Sequence, residues 1–238
     1  MQNFITALKA EHIKKRGTGI YMVGIIIGAI SPIIWTIVQL FEKEKPGASL
    51  PYNYFMSYVE ETLDPFAGFF FPLLIIITVS RITQLDHKNG GWQLMETQPV
   101  RKISIYFSKF SVILITNLIA ILSLVIVSYL GAAIVSLFID IPKDATMGLA
   151  LGEPLGVIAR LFVAALFLSA FQYLISVLMP SFIWSILIGF FLLLAYIFLK
   201  VFKVVPDYYP MELLNKVYTY KKGSELGYWL TYSEIASL

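Results

Sequence analysis

The sequence predicts an all-α polytopic membrane protein, and three observations carry that prediction. Of 238 residues, 58% are hydrophobic and only 14% are charged, against about 25% charge in a typical soluble domain. The mean hydropathy is +0.77, out of reach of a soluble fold of this size, because a small globule exposes too much of its area to hide so much apolar surface. The apolar residues also fall in runs of roughly 20 or more, the length that crosses a bilayer as a helix. Other chemistry is excluded early. There is no cysteine, so there are no disulfides, thiolates or cysteine metal sites. The two histidines, His12 and His87, lie far apart and form no ligand pattern. A formal charge of +3 is too small to suggest a nucleic-acid partner.

The first element covers residues 1–17. MQNFITALKAEHIKKRG is charged, but it precedes a full-length apolar run without a small-residue cleavage site, so it reads as retained. Phe4, Ile5 and Leu8, with His12, share one side at spacings of three and four, and Lys9, Lys14, Lys15 and Arg16 surround the rest. The expectation is an amphipathic helix in the headgroup layer. Phe4, Ile5 and Leu8 would face the acyl boundary, with Lys14, Lys15 and Arg16 near anionic membrane lipid. A charged leader for the first span is the plainer alternative.

Residues 18–238 make the transmembrane domain. The first span runs over 18–41, roughly 36 Å as a helix. Pro32 and the glycines at 24 and 28 bend it or admit a close neighbour. The second covers 65–82, with Pro72 inside. The third, 105–139, is too long for one straight crossing, so it either extends beyond the bilayer or bends at Gly131. The fourth covers 155–178 and the fifth 181–202, separated by a reversal at Pro180.

Lysine and arginine set the orientation. The N-terminal segment holds Lys9, Lys14, Lys15 and Arg16 against Glu11. The 42–65 loop holds five acids and two lysines, and the 140–154 loop three acids and one lysine. The 83–105 loop holds Lys88, Arg101 and Lys102 against Asp86 and Glu96, flanked by Arg81 and Lys109. The N-terminus and the 83–105 loop are therefore expected in the cytoplasm, with 42–65 and 140–154 outside. Five spans would leave the C-terminus outside, and Tyr228–Leu238 is too short to cross. Either those residues form an external or interfacial tail, or a sixth span is missing from the chain; the missing span is the expectation.

Several segments are candidates for function. In the 83–105 loop, Asn89, Gly90 and Gly91 make a turn. Trp92 to Thr97 can form a short helix that Pro99 stops, carrying Trp92, Leu94, Met95 and Glu96. Between two long membrane helices such a helix is a lever, and force on Leu94 or Met95 would reach both spans. A passive loop with Trp92 anchored at the interface is the alternative. Arg160, near the outer end of the fourth span, can snorkel outward to Glu153, Asp140 or Asp144, or can meet an anionic substrate headgroup. Gln172, Asn117 and the serines at 123, 128, 169 and 176 either join helices or line a path. Residues 206–228, bounded by Pro206 and Pro210 and rich in tyrosine, read as an external hairpin dipping at the membrane surface.

Enzyme readings fail on specifics. Glu60 and Glu61 precede a span as in membrane-embedded CAAX-type proteases, but no arginine follows shortly after the pair and no histidine lies in a span. No GxSxG and no GxxxxGK[ST] occurs.

The 83–105 loop resembles that of the ABC-2 exporter permeases, in particular the short bacterial subunits of bacitracin or lantibiotic immunity and multidrug export. The pattern is a polar lead (Asp86), a glycine turn (Gly90, Gly91), a short apolar helix (Trp92, Leu94, Met95, Glu96), then Pro99 with Arg101 and Lys102, and Lys109 opening the third span. The family's usual glutamate near the loop start is Asp86 here. The resemblance covers nearly the whole chain: 1–17 corresponds to the family's elbow helix, 83–105 to its cytoplasmic coupling loop and 206–228 to its external hairpin. It implies an ABC-2 exporter transmembrane fold of six spans, with no catalytic residue, cofactor or metal on this chain. ATP and magnesium would be bound by a separate ABC ATPase, two copies of which would push on the coupling loop. A second permease chain, identical or homologous, would complete the path. The cargo would be a peptide, drug or lipid-like molecule, and the location the bacterial cytoplasmic membrane. A membrane scaffold or assembly factor that does not transport is the alternative function, with an intramembrane enzyme behind it.

Overall fold

In a computed structural model the chain is described over residues 2–15, 17–42, 53–87, 101–139, 141, 145–146, 148, 152–179, 181–206 and 209–214. Among these residues the structure is helical apart from a bridge between Asn53 and Thr146. The helices are α1 (Gln2–Lys15), α2 (Ile20–Glu42), α3 (Tyr54–Pro65), α4 (Phe71–His87), α5 (Lys102–Ser136), α6 (Gly152–Leu178) and α7 (Phe182–Val201). A single π turn, Phe66–Phe70, joins α3 to α4. Five helical stretches are long and apolar enough to cross a membrane: Ile20–Phe41, Tyr54–Gln84, Lys102–Ser136, Pro154–Leu178 and Phe182–Val201.

Helix α1 leads into α2 through a tight reversal. Gly17 and Gly19 take φ of 88° and 71°, a region closed to most side chains by their Cβ. Thr18 closes the end of α1, its backbone N–H donating to the Lys15 carbonyl at 3.0 Å and its hydroxyl at 2.7 Å. Helix α2 then packs along α5. Gly24 and Gly28 let the two backbones meet: a Cβ on Gly28 would collide with the Ala120 carbonyl and stand 2.9 Å from Ser123 Cβ. Ser123 crosses the same seam, donating to the Ile25 carbonyl at 2.8 Å. This is the small-residue packing that membrane helices use where lipid removes the hydrophobic drive to associate.

The second spanning stretch begins at Tyr54, earlier than the sequence-based start at 65. Asn53 caps it, its side chain accepting from Met56 N–H at 3.1 Å. Tyr54, Tyr58, Val59, Thr62 and Leu63 face inward, while Glu60, Glu61 and Asp64 are exposed. Those three acids lower the local hydropathy and hide a helix whose other face is buried. At the π turn the Phe71 N–H reaches the Phe66 carbonyl, one residue beyond the α-helical step. Pro72, which has no N–H to donate, follows directly. Phe66 and Phe71 are fully buried and stack with centroids 4.9 Å apart.

Helix α5 has 35 residues, about 52 Å at 1.5 Å each, well beyond a hydrocarbon core of about 30 Å. It runs through Gly131 without a break. That glycine is a contact point: a Cβ there would collide with Thr36 Oγ1 and stand 3.1 Å from Tyr58 Oη. Helix α4 lies in the middle, against α2, α5, α6 and α7. The opposite end from α1 is stitched by Asn53, which donates to the Gly148 carbonyl at 2.7 Å, and by Tyr54 N–H, which donates to the Thr146 carbonyl at 3.1 Å. After α7, Lys203 turns the chain with φ 56°, and residues 209–214 fold back. The Tyr209 hydroxyl donates to the Leu192 carbonyl at 2.7 Å and its ring stacks on Tyr196, while Met211 and Leu214 are buried. The expected missing sixth span and residues 215–228 of the hairpin lie outside the described residues.

Candidate functional site

The end of the bundle that carries α1 holds the strongest charge constellation among the described residues. Helix α1 packs chiefly on α5. Leu8 reaches the hydrophobic core, and Glu11 and Lys15 follow on the same face at helical spacings. Glu11 Oε1 lies 2.8 Å from Lys109 Nζ, Glu11 Oε2 lies 2.9 Å from Lys15 Nζ, and Lys14 Nζ approaches to 3.4 Å. The side chains of Lys15 and Lys109 are 0% exposed and that of Glu11 is 5% exposed, so these three groups are buried, with Lys14, 46% exposed, at the outer edge. Burial by itself would raise the Glu11 carboxyl. The Lys109 and Lys15 ammonium groups outweigh it and hold the carboxyl at about 2, below its ordinary 4.5. The carboxylate is therefore charged at any physiological pH.

Lys15, expected near lipid headgroups, is instead buried against α5, while Ile5, expected toward the acyl boundary, lies on the outer surface at 47% exposed. Phe4 and Leu8 are half-buried, Lys14 is exposed, and Arg16 lies outside the described residues. His12 is exposed, its Nδ1 3.1 Å from Tyr21 Oη, bracing α1 against the start of α2. Sequence reasoning did not single out Glu11. A signal existed: a carboxylate three residues after Leu8 and four before Lys15, on the face that must pack, calls for a cationic partner elsewhere.

In the 83–105 segment, α4 extends to His87 and α5 starts at Lys102, with Arg101 exposed at its N-cap in an extended conformation. Asp86 is placed only by its backbone, in the last turn of α4. Gly90, Gly91, Trp92, Leu94, Met95, Glu96 and Pro99 lie outside the described residues.

Inside the bundle the polar side chains join helices. Ser80 on α4, Ser176 on α6 and Ser185 on α7 form a hydroxyl triad, Ser80 to Ser185 at 2.8 Å and Ser176 to Ser185 at 2.5 Å. Gln172 Nε2 donates to the Ser185 carbonyl at 3.1 Å, and Asn117 Nδ2 donates to Ser169 Oγ at 2.8 Å. Ser128 meets Thr62 at 2.9 Å, and Ser31 donates to the Thr62 carbonyl at 2.6 Å. Each such bond is worth about 0.6 to 2 kcal/mol between membrane helices. Gln172, Asn117 and the four serines singled out in the sequence thus all serve contacts between helices.

At the opposite end, Asp64 and Lys200 pair at 3.5 Å, both partly exposed, beside Gly68 of the π turn. Arg160 on α6 is half-buried. Its Nη2 lies 3.9 Å from where a Cβ on Gly156 would stand, so the guanidinium leans back toward the start of α6, as a snorkelling arginine does. The Glu153 side chain lies outside the described residues. Among the described residues no group of three or more histidines and acids could hold a metal.

No curated protein and no solved structure matches the chain. The family described as "ABC-2 family transporter protein" matches residues 7–196. That stretch holds most of α1, the five spanning helices but for the last residues of α7, the buried Glu11–Lys109 pair and the whole 83–105 segment. The chain therefore belongs to the ABC-2 transporter family, as a multi-pass membrane component of transport.

Proposed function

We propose that this chain is the permease subunit of an ATP-driven exporter in the bacterial cytoplasmic membrane, with its N-terminus in the cytoplasm. It moves a peptide, drug or lipid-like substrate outward. ATP and magnesium are bound by a separate ABC ATPase, in two copies. The family match across residues 7–196 carries this reading, because it takes in both the first helix and the 83–105 segment together with the spans that flank them. The alternating charge of the loops supports the orientation.

In this reading ATP-driven closure of the ATPases presses on Trp92, Leu94 and Met95, and α4 and α5 carry the movement into the membrane. Asp86, Gly90, Gly91, Glu96, Pro99 and Arg101 shape and flank the docking surface. A second permease chain, identical or homologous, completes the path. The engagement of the interior hydroxyls and amides in helix contacts supports a path shared between two chains over one bored through a single bundle. Arg160 is suited to guide an anionic group at the outer surface.

The test is co-purification. The tagged chain, extracted in mild detergent from its own cells, should bring down an ATPase with a P-loop. Trp92→Ala combined with Leu94→Ala should lose that ATPase while the chain still reaches the membrane. An unaffected complex would count against docking through this loop.

A further inference from the structure

Glu11 and Lys109 stand 98 residues apart in sequence, yet they form a buried ion pair at 2.8 Å between the first helix and the third span. We propose that Glu11 is a positioning residue: it clamps α1 to α5 so that the two move as one body when force enters through the 83–105 segment. The clamp rests on the geometry alone, and its part in transmission rests on the exporter reading above.

An apolar joint between helices can slide, since ridges find new grooves at small cost. A buried carboxylate between two buried ammonium groups cannot. Displacing α1 by one turn, about 5.4 Å, would carry Glu11 and Lys15 along together and part the carboxylate from Lys109, with both groups still away from water. Leaving even one partner of a buried pair uncompensated is strongly unfavourable, and the best-attested use of such pairs is to fix register. Lys15 lies on the same helix as Glu11, one turn on, and grips the second carboxylate oxygen at 2.9 Å, so the carboxylate is held from both sides. Lys14 closes the exposed side at 3.4 Å.

Placement gives the clamp its use. Lys109 lies seven residues into α5, which starts at Lys102 where the polar segment ends, so it is about 10 Å along the helix. Load entering from the segment therefore reaches Lys109 before the membrane interior. Beyond the clamp, α1 continues through Gly17–Gly19 into α2, and α2 returns to α5 at Thr116, Ala120 and Ser123. Helix α5 thus holds α2 directly and also through α1, and the three form a closed frame.

The chain has no cysteine, so labels attach to it only at introduced ones, and diluting the labelled chain with unlabelled chain isolates the distance within one copy. Spin labels at Ala10→Cys, on the exposed side of α1, and at Phe107→Cys, on the exposed face of α5, are read in the full chain in lipid bilayers. The clamp predicts one narrow distance, unchanged when ATP and vanadate trap the associated ATPase. Glu11→Gln and Lys109→Met should each lose it, giving a broad or split distribution. Exchanging the whole cluster, Glu11→Lys with Lys15→Glu and Lys109→Glu, should restore it, a rescue that side-chain volume alone does not provide. A narrow, unchanged distance in Glu11→Gln would overturn the proposal, as would movement of the wild-type pair with nucleotide. Should the single variants fail to accumulate, the three-site exchange decides: a narrow distance supports the clamp, and a broad one or no recovery of the protein refutes it. The nucleotide-free measurement needs no ATPase. Loss of the exporter reading is thus seen separately, as the absence of any co-purifying ATPase.

Discussion

At the scale of single residues, charge and side-chain volume set the strongest constraints. Glu11 gives a pH signature with a fixed sign. Its folded carboxyl sits near 2, below the ordinary 4.5. The stability it contributes is therefore fully present above about 4.5 and is lost as pH falls through that value toward 2. Thermal unfolding in detergent should show wild type more stable than Glu11→Gln near neutral pH, by about 3–5 kcal/mol for a broken buried pair. The gap should narrow between pH 4.5 and 2. A gap that ignores pH across that window would mean the carboxylate is not held this way. Volume matters most at Gly28, where even a methyl meets the Ala120 carbonyl. Gly28→Leu should cost more than the about 1–3 kcal/mol of ordinary overpacking, because the obstacle is backbone. Loss of folded, monodisperse protein in size-exclusion chromatography is the readout.

Among the elements, the spans were legible and the long-range pairing was not. Continuous apolar runs placed α2, α5, α6 and α7 within a few residues, because lipid imposes length and composition on any helix that crosses it. Gly24 and Gly28 were open to reading as a bend or as a close contact, and they seat α5. The helix from Tyr54 to Asp64 was hidden by Glu60, Glu61 and Asp64 on its exposed face. Gly131 was open to reading as a bend, yet it marks where Thr36 and Tyr58 press against α5. Whether a glycine bends a helix or seats a neighbour depends on what packs there, which local sequence does not carry. The same holds for the first helix: its apolar spacing was visible, but the burial of Lys15 follows from Lys109, far away in the chain. The returning segment after α7 has one polar anchor that can be tested. Tyr209→Phe removes the bond to the Leu192 carbonyl and keeps the ring on Tyr196. It should cost about 1 kcal/mol and speed hydrogen exchange at residues 209–214 while leaving α2 unaffected.

For the whole molecule, the described helices form two polar-joined groups that also pack on each other directly, α5 against α6 through Asn117 and Ser169. Helices α1, α2 and α5 are joined by the buried charge cluster and the glycine seam. Helix α4 is tied to α6 and α7 by the triad of Ser80, Ser176 and Ser185. The 83–105 segment connects α4 to α5, so it spans the boundary between the two. On the exporter reading proposed above, a push there would act on both groups. The measurement that tests this most directly is site-specific photo-crosslinking from Leu94. A photoreactive amino acid at that position, activated in living cells, should yield a covalent adduct with an ATPase that carries a P-loop, identified by mass spectrometry. An adduct with lipid alone, or with a protein that lacks any nucleotide-binding site, would contradict it.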